Sequence, residues 1–300
     1  MKIFKKHEVT KAILSSFFYK LSRLKYKSKR LTVYEICLFG ILLAIYMIAR
    51  LVERFVFRGP YNISITYAIF IIFGIILGPW KGAFLGILSD TLDQIIFGVS
   101  TWMIEYAIIP AIIAFLSGIF RYLIYKDSKT TFVIGLSFLS FLTCFMIAFL
   151  LFNSGKIPSV ENKLKSDKVS PLIVAIISSI SLTLIWTASL SLLITSAKTR
   201  NVETKFKCHL FFAILITIFI ILILTRWLWG PFAFINYFNR FLAKKSAWTY
   251  ETKYFPIMIP IIFKSFIEIP VYALIIFAIF PIVRKLRESI LFHTSKRSTY

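Results

Sequence analysis

Three carboxylates stand where carboxylates are costly. Asp90 and Asp93 lie three positions apart near the end of an apolar stretch, and Glu105 follows the Gly98-Val99-Ser100-Thr101 turn at the start of the next. On a helix such spacing projects two side chains near one face. A buried carboxylate needs hydrogen bonds, cations or a watery cavity to offset its lost hydration. The trio therefore marks either a solute site or a structural polar network. An intramembrane aspartyl protease also needs two acids, but facing each other across a cleavage centre, and a three-residue spacing on one helix supplies no such geometry. Further along, Lys264 and Glu268 are four apart and can pair on one helix face. Trp248, Tyr250 and Tyr254 offer an apolar wall with polar edges beside that pair, and Arg240 precedes them. Asp90, Asp93, Glu105, Arg240, Trp248, Tyr254, Lys264 and Glu268 are thus the candidate ligand contacts, and no residue set suggests catalysis.

The element that must position the first group is a helical hairpin. The apolar run from Ile63 to Leu77 meets a second run at Gly78-Pro79-Trp80-Lys81-Gly82. Gly-Pro can stop one helix and start the next, because proline suits a first helical turn and lacks the donor needed further in. Gly74, Gly78, Gly82 and Gly86 recur every four positions and give both arms a low-profile face for close packing. In the preceding run Gly40 and Ala44 make a second small-residue pair, suited to packing inside the bundle or to docking another membrane helix. Arg50, Glu53, Arg54 and Arg58 follow, either as an interfacial charge cluster or to steer an anionic solute. Arg226, in Thr225-Arg226-Trp227-Leu228-Trp229-Gly230-Pro231, reads as an interface anchor or as a contact to an anionic ligand.

Composition places these elements in a bilayer. The chain is 58% hydrophobic and 16% charged, with a mean hydropathy of +0.81, whereas soluble domains carry about 25% charged residues. Eight spans are expected, near 33–52, 61–77, 80–97, 102–124, 131–152, 171–196, 208–229 and 254–282, with 153–170 and 230–253 as connections. Cys37, Cys144 and Cys208 follow no metal-ligand spacing and read as small buried hydrophobes. Ten of the first 32 residues are Lys or Arg. The formal charge of +23 therefore indicates cytoplasmic retention and attraction to anionic lipid rather than nucleic-acid recognition. Both termini are expected in the cytoplasm. The organisation read here is a basic segment 1–32, an integral membrane domain 33–285 and a tail 286–300.

At these residues the chain resembles a substrate-binding membrane subunit, the S component, of an energy-coupling factor vitamin transporter, especially its folate branch. The resemblance is carried by Gly78, Pro79, Gly82, Gly86 and Asp90, by Ser117-Gly118, by Thr225-x-Trp227 and by the segment from Tyr254 to Arg284. It covers about 33–125 and 206–285. It implies an all-α polytopic bundle of six family-like spans, into which residues 131–196 insert a further pair. It also implies extracellular capture of a vitamin, folate or a derivative first and riboflavin as an alternative. An energy-coupling transmembrane subunit would dock at Gly40 and Ala44, and two cytoplasmic subunits would bind ATP and Mg, with no cofactor on this chain. Folate-type members often begin the last helix with Pro-Arg; here Ile261 follows Pro260, which leaves Arg240, Lys264 or Arg226 for an acid tail. An ion-coupled secondary transporter and a structural membrane protein are the other classes that these features allow.

Overall fold

Apolar runs of these lengths fold as helices throughout the computed structural model, which describes residues 32–55, 64–97, 102–154, 171–243 and 247–296. The basic segment 1–31, Arg58, the turn 98–101, most of the 153–170 connection and the last four residues lie outside the described residues. The elements are α1 (Val33–Phe55), α2 (Thr66–Leu77), α3 (Pro79–Phe97), α4 (Ile104–Tyr125), α5 (Ser128–Ser154), α6 (Pro171–Lys198), α7 (Val202–Leu222), α8 (Trp229–Tyr237) and α9 (Tyr250–Lys296). Two π-helical turns, Ile223–Leu228 and Phe238–Leu242, flank α8 and make α7, α8 and both turns one continuous rod. Each expected span thus contains a helix. Among the described residues six helices are long and apolar enough to cross a membrane, while α2, at 12 residues, is shorter and pairs with α3 in the hairpin.

Periodicity decides which helices sit at the centre. A helix apolar all round has no polar face to give to water and belongs inside the bundle. In α2 all residues except Tyr67 are buried, and α7 is buried from Phe212 to Leu222. Phe73, Phe212, Phe219, Trp227 and Tyr272 are the bulkiest of the sealed side chains between them and α9. The outer helices present Ile41, Ile45 and Ile48 of α1 and Phe141 and Leu184 of α5 and α6 to the surroundings, as lipid-facing surfaces do. Cys37 and Cys144 share that exposure and Cys208 is half-buried, which corrects their reading as buried hydrophobes. In a bilayer an apolar side chain need not be inside the protein.

The hairpin is packed backbone on backbone. Gly78 adopts φ 94°, a conformation glycine reaches without strain. A Cβ added at Gly82 would lie 2.9 Å from Gly74 Cα, and one at Gly86 would lie 2.8 Å from the Pro110 carbonyl oxygen. One at Gly118 would collide with Pro79, and one at Gly74 with Ser117. The four-residue glycine period therefore lets α2, α3 and α4 meet as a block.

Two ends of the bundle can be told apart. At the proximal end α1 starts with a capping box: the Thr32 N–H donates to Glu35 Oε2 at 2.9 Å, and the Glu35 N–H to Thr32 Oγ1 at 3.2 Å. Lys81, just past the Gly78-Pro79 turn, donates to both Glu35 oxygens at 2.6 and 2.7 Å. His209 of α7 reaches the Ile124 carbonyl at the end of α4 at 3.3 Å. The end of α1 and the start of α2 lie at the other, distal end, as does the start of α9, where the Tyr254 hydroxyl donates to the Leu228 carbonyl at 2.6 Å. Phe277 of α9 then packs on Phe211 of α7, two residues on from His209, so α9 runs back toward the end where α1 began.

The segment 230–253, expected as a connection, is helical to Leu242, and α9 begins at Tyr250. Gly230-Pro231 does not stop the rod. Pro231 cannot donate to the carbonyl four residues back, and the π turn that ends at Leu228 widens the helix where that bond is missing.

Candidate functional site

Two helices, α1 and α3, bring charge together at the distal start of α2. Arg50, near the end of α1, donates Nε to Asp93 Oδ1 and Oδ2 at 3.0 Å each, and Nη1 to Glu53 Oε2 at 3.2 Å. Glu53 is buried and in turn accepts the Thr66 N–H at 2.6 Å and the Thr66 hydroxyl at 3.2 Å. A carboxylate on these first-turn donors satisfies groups that a helix start otherwise leaves unpaired. Asp90 sits one turn before Asp93 on α3 and is half-buried. Asp90 and Asp93 therefore share a region, and a cation already holds Asp93.

A second cluster forms where the first π turn meets α9. Arg226 pairs with the buried Glu268, and Lys264 lies 3.6 Å from the other Glu268 oxygen. The Ser64 N–H donates to Glu268 Oε1 at 3.5 Å, and the Tyr272 hydroxyl donates to the Ser64 carbonyl at 2.6 Å. One carboxylate thus serves two cations and a backbone donor, which is how a buried charge is kept at tolerable cost. The four-residue Lys264–Glu268 spacing gives the expected pair, and Arg226, from 42 positions away, is a further partner.

Tyr67 lies between the clusters. It is the only residue of α2 that is not buried. The Arg226 guanidinium covers its ring at 4.8 Å from the centroid, and Glu53, Asp90 and Glu268 are within electrostatic range. Its hydroxyl makes no hydrogen bond to a described residue.

Above this level the distal helical rod and the start of α9 form an aromatic hairpin. Trp248 stacks on Phe238 with ring centroids 3.6 Å apart, and Asn239 exchanges hydrogen bonds with the Trp248 backbone at 2.9 and 2.7 Å. Phe232 stacks on Tyr250, whose hydroxyl donates to Asn236. Tyr237 meets Tyr106 edge-on, bringing the hairpin to the start of α4.

Glu105 belongs to this hairpin rather than to the aspartate pair. Its backbone carbonyl accepts from Trp229 Nε1 at 2.8 Å, and Asn236 Nδ2 lies 3.5 Å from its Oε1. Trp248 and Tyr254 are likewise hairpin residues, and Arg240 is exposed on the second π turn. The eight expected contacts therefore fall into three groups: Asp90 with Asp93, Lys264 with Glu268, and Glu105, Trp248, Tyr254 and Arg240 on the hairpin. Among the described residues no three His, Cys, Asp or Glu side chains gather as a metal site.

Gly40 and Ala44 face outward from α1, and a Cβ at Gly40 would meet nothing within 4 Å. This excludes the reading in which Gly40 packs inside the bundle. Sequence reasoning overlooked Tyr67, Thr66, Ser64 and Tyr272. For Ser64, Thr66 and Tyr67 the signal is a cluster of hydroxyl side chains at the start of an otherwise apolar stretch, whereas Tyr272 has no such signal. Arg50 and Glu53, expected as an interfacial cluster or as steering charges, instead pair with Asp93 and Thr66.

A family model described as ECF-type riboflavin transporter, S component, matches residues 30–185, just over half of the 300-residue chain. The match runs from α1 through α5 and into α6. No curated protein and no solved structure matched.

Proposed function

The chain belongs to the ECF-type riboflavin transporter S components, vitamin-binding membrane subunits of energy-coupling factor transporters, and on that footing we propose that it captures riboflavin at its distal end. The choice of a neutral flavin over a folate is carried by one observation: the cations inside the distal clusters, Arg50, Arg226 and Lys264, are already paired, and Arg240, the other candidate for an acid tail, lies exposed on the second π turn, away from both clusters. Arg226 and Lys264 share Glu268, and Arg50 lies on Asp93 and Glu53. Folate's glutamate tail carries two negative charges. Receiving them would draw cations from Glu268 and leave a buried carboxylate underpaired, at a cost of about 3–5 kcal/mol. Riboflavin brings an uncharged flat tricycle and a chain of hydroxyls. Aromatic walls suit the first, and a carboxylate with spare acceptor capacity, such as Asp90, suits the second.

Uptake by such a subunit requires partners. The chain carries no Gly-x-x-x-x-Gly-Lys-Ser/Thr phosphate loop. ATP and Mg are therefore assigned to two cytoplasmic ATP-binding subunits, joined through an energy-coupling transmembrane subunit. Gly40 and Ala44, exposed on α1, are the docking face proposed for that membrane partner, since small residues let helix backbones approach closely. The proximal end, with both ends of the described bundle, faces the cytoplasm in this scheme, and the distal site faces outward.

A calorimetric or thermal-shift panel on the purified chain tests the assignment. Saturable binding of riboflavin, with reduced folates, thiamin and biotin giving no comparable response, is the expected result. Selective folate binding would keep the transporter class and overturn the flavin.

A further inference from the structure

We propose that Tyr67 is the residue that reads the flavin, its ring lying against the tricycle and its hydroxyl bonding a polar edge of the ring system. The inference rests on the proposed capture of riboflavin and goes beyond it by naming the group that makes the contact.

The argument begins with burial. Protein surrounds α2 along its length, so lipid does not reach it, and Tyr67 is its single partly open position. That position lies at the distal end of the central helix, within electrostatic range of Glu53 near the end of α1, Asp90 of α3 and Glu268 of α9. Tyr67 thus stands at the distal limit of the sealed run Ala68 to Leu77.

Hydrogen bonding makes the same residue stand out. Its neighbours are occupied: Thr66 is held by Glu53, the Ser64 carbonyl by Tyr272, and Arg226 by Glu268. The Tyr67 hydroxyl, within electrostatic range of Arg226, Glu268, Glu53 and Asp90, makes no hydrogen bond to a described residue. A polar group in a low-dielectric region gains most from a partner when it has none. A phenol can both donate and accept, so it suits the alternating carbonyl and N–H edge of a flavin.

The ring is also held in place. Arg226 covers one face, and Glu268 and the π turn fix Arg226 in turn. A fixed, electron-rich ring is a better stacking surface than a mobile one, because less side-chain entropy is lost on binding.

Tyr67→Phe tests this in the purified full chain, since it removes only an oxygen that bonds no described residue. Melting of the apo variant should match wild type. Riboflavin affinity should fall roughly 3- to 10-fold, the loss of one neutral hydrogen bond. The excited-state lifetime of bound flavin should lengthen, because tyrosine in contact quenches flavins by electron transfer and phenylalanine does not. Both changes together support the contact; either readout staying at its wild-type value overturns it. If wild type itself binds no riboflavin, the capture reading falls and this inference with it. Wild-type binding with an unaltered variant overturns Tyr67 alone.

Discussion

Glu268 shows how much one side chain can depend on others far away in the chain. It is fully buried, with Arg226 and Lys264 as its cationic partners. Removing the closer cation should leave a buried charge undercompensated. Arg226→Met should therefore lower stability by about 3 kcal/mol in an equilibrium unfolding titration. Arg226→Met with Glu268→Met should recover most of that loss, because an apolar pair of similar volume needs no compensation and Lys264 can extend its amine to water. A double variant as unstable as the single one would show that the cluster does more than neutralise itself. At this scale the sequence is half legible. The i,i+4 spacing exposes Lys264 with Glu268, but no local signal joins Arg226 to α9, Arg50 to Asp93 or Glu53 to Thr66, since those pairs exist only once the helices are side by side. Tyr67 was hidden for the same reason, as its importance lies in where α2 stops being covered.

Among the elements, the α2–α3 hairpin was the most readable and the distal hairpin the least. A glycine every fourth residue is a local pattern with one physical use, and the structure spends it on backbone contact between α2, α3 and α4. The expected consequence is a contrast between two glycines. Gly82→Leu has no room, with Gly74 Cα 2.9 Å from the new Cβ. It should cost roughly 1–3 kcal/mol or more, seen as a fall in thermal stability. Gly40→Leu meets nothing within 4 Å and should change stability by no more than about 0.5 kcal/mol. Its effect should appear instead in co-purification, as weakened association with the energy-coupling membrane subunit. Unchanged assembly would remove α1 from the docking face. The distal hairpin departs from expectation because Gly230-Pro231 carries the same local stop signal as Gly78-Pro79, which does end a helix. A π turn and the aromatic contacts of Phe232, Tyr237 and Phe238 override it, and neither is visible in residue types alone.

For the whole molecule, length and direction set the arrangement. The rod Val202–Leu242 has 41 residues and α9 has 47, about 60 and 70 Å at 1.5 Å per residue, against an apolar bilayer core of about 30 Å. Both helices must extend beyond the core, and at the distal end they do so together as the aromatic hairpin. Composition and the run of spans made the membrane bundle legible. The order in which charges meet at one end was not, because it follows from packing. Thr249 is exposed on the distal hairpin and Lys198 at the end of α6. In a functional background lacking Cys37, Cys144 and Cys208, Thr249→Cys should react with an impermeant thiol reagent added outside intact cells, whereas Lys198→Cys should react only after the membrane is opened. The reverse pattern would invert the site. The central claim is that this chain captures a vitamin and depends on ATP-driven partners to deliver it. The most direct measurement is uptake of radiolabelled riboflavin into vesicles holding the chain alone, or the chain with its energy-coupling and ATP-binding subunits. Uptake that needs all the subunits and ATP hydrolysis is the predicted result. Accumulation by the chain alone under an imposed ion gradient, or no uptake by the verified full complex, would contradict it.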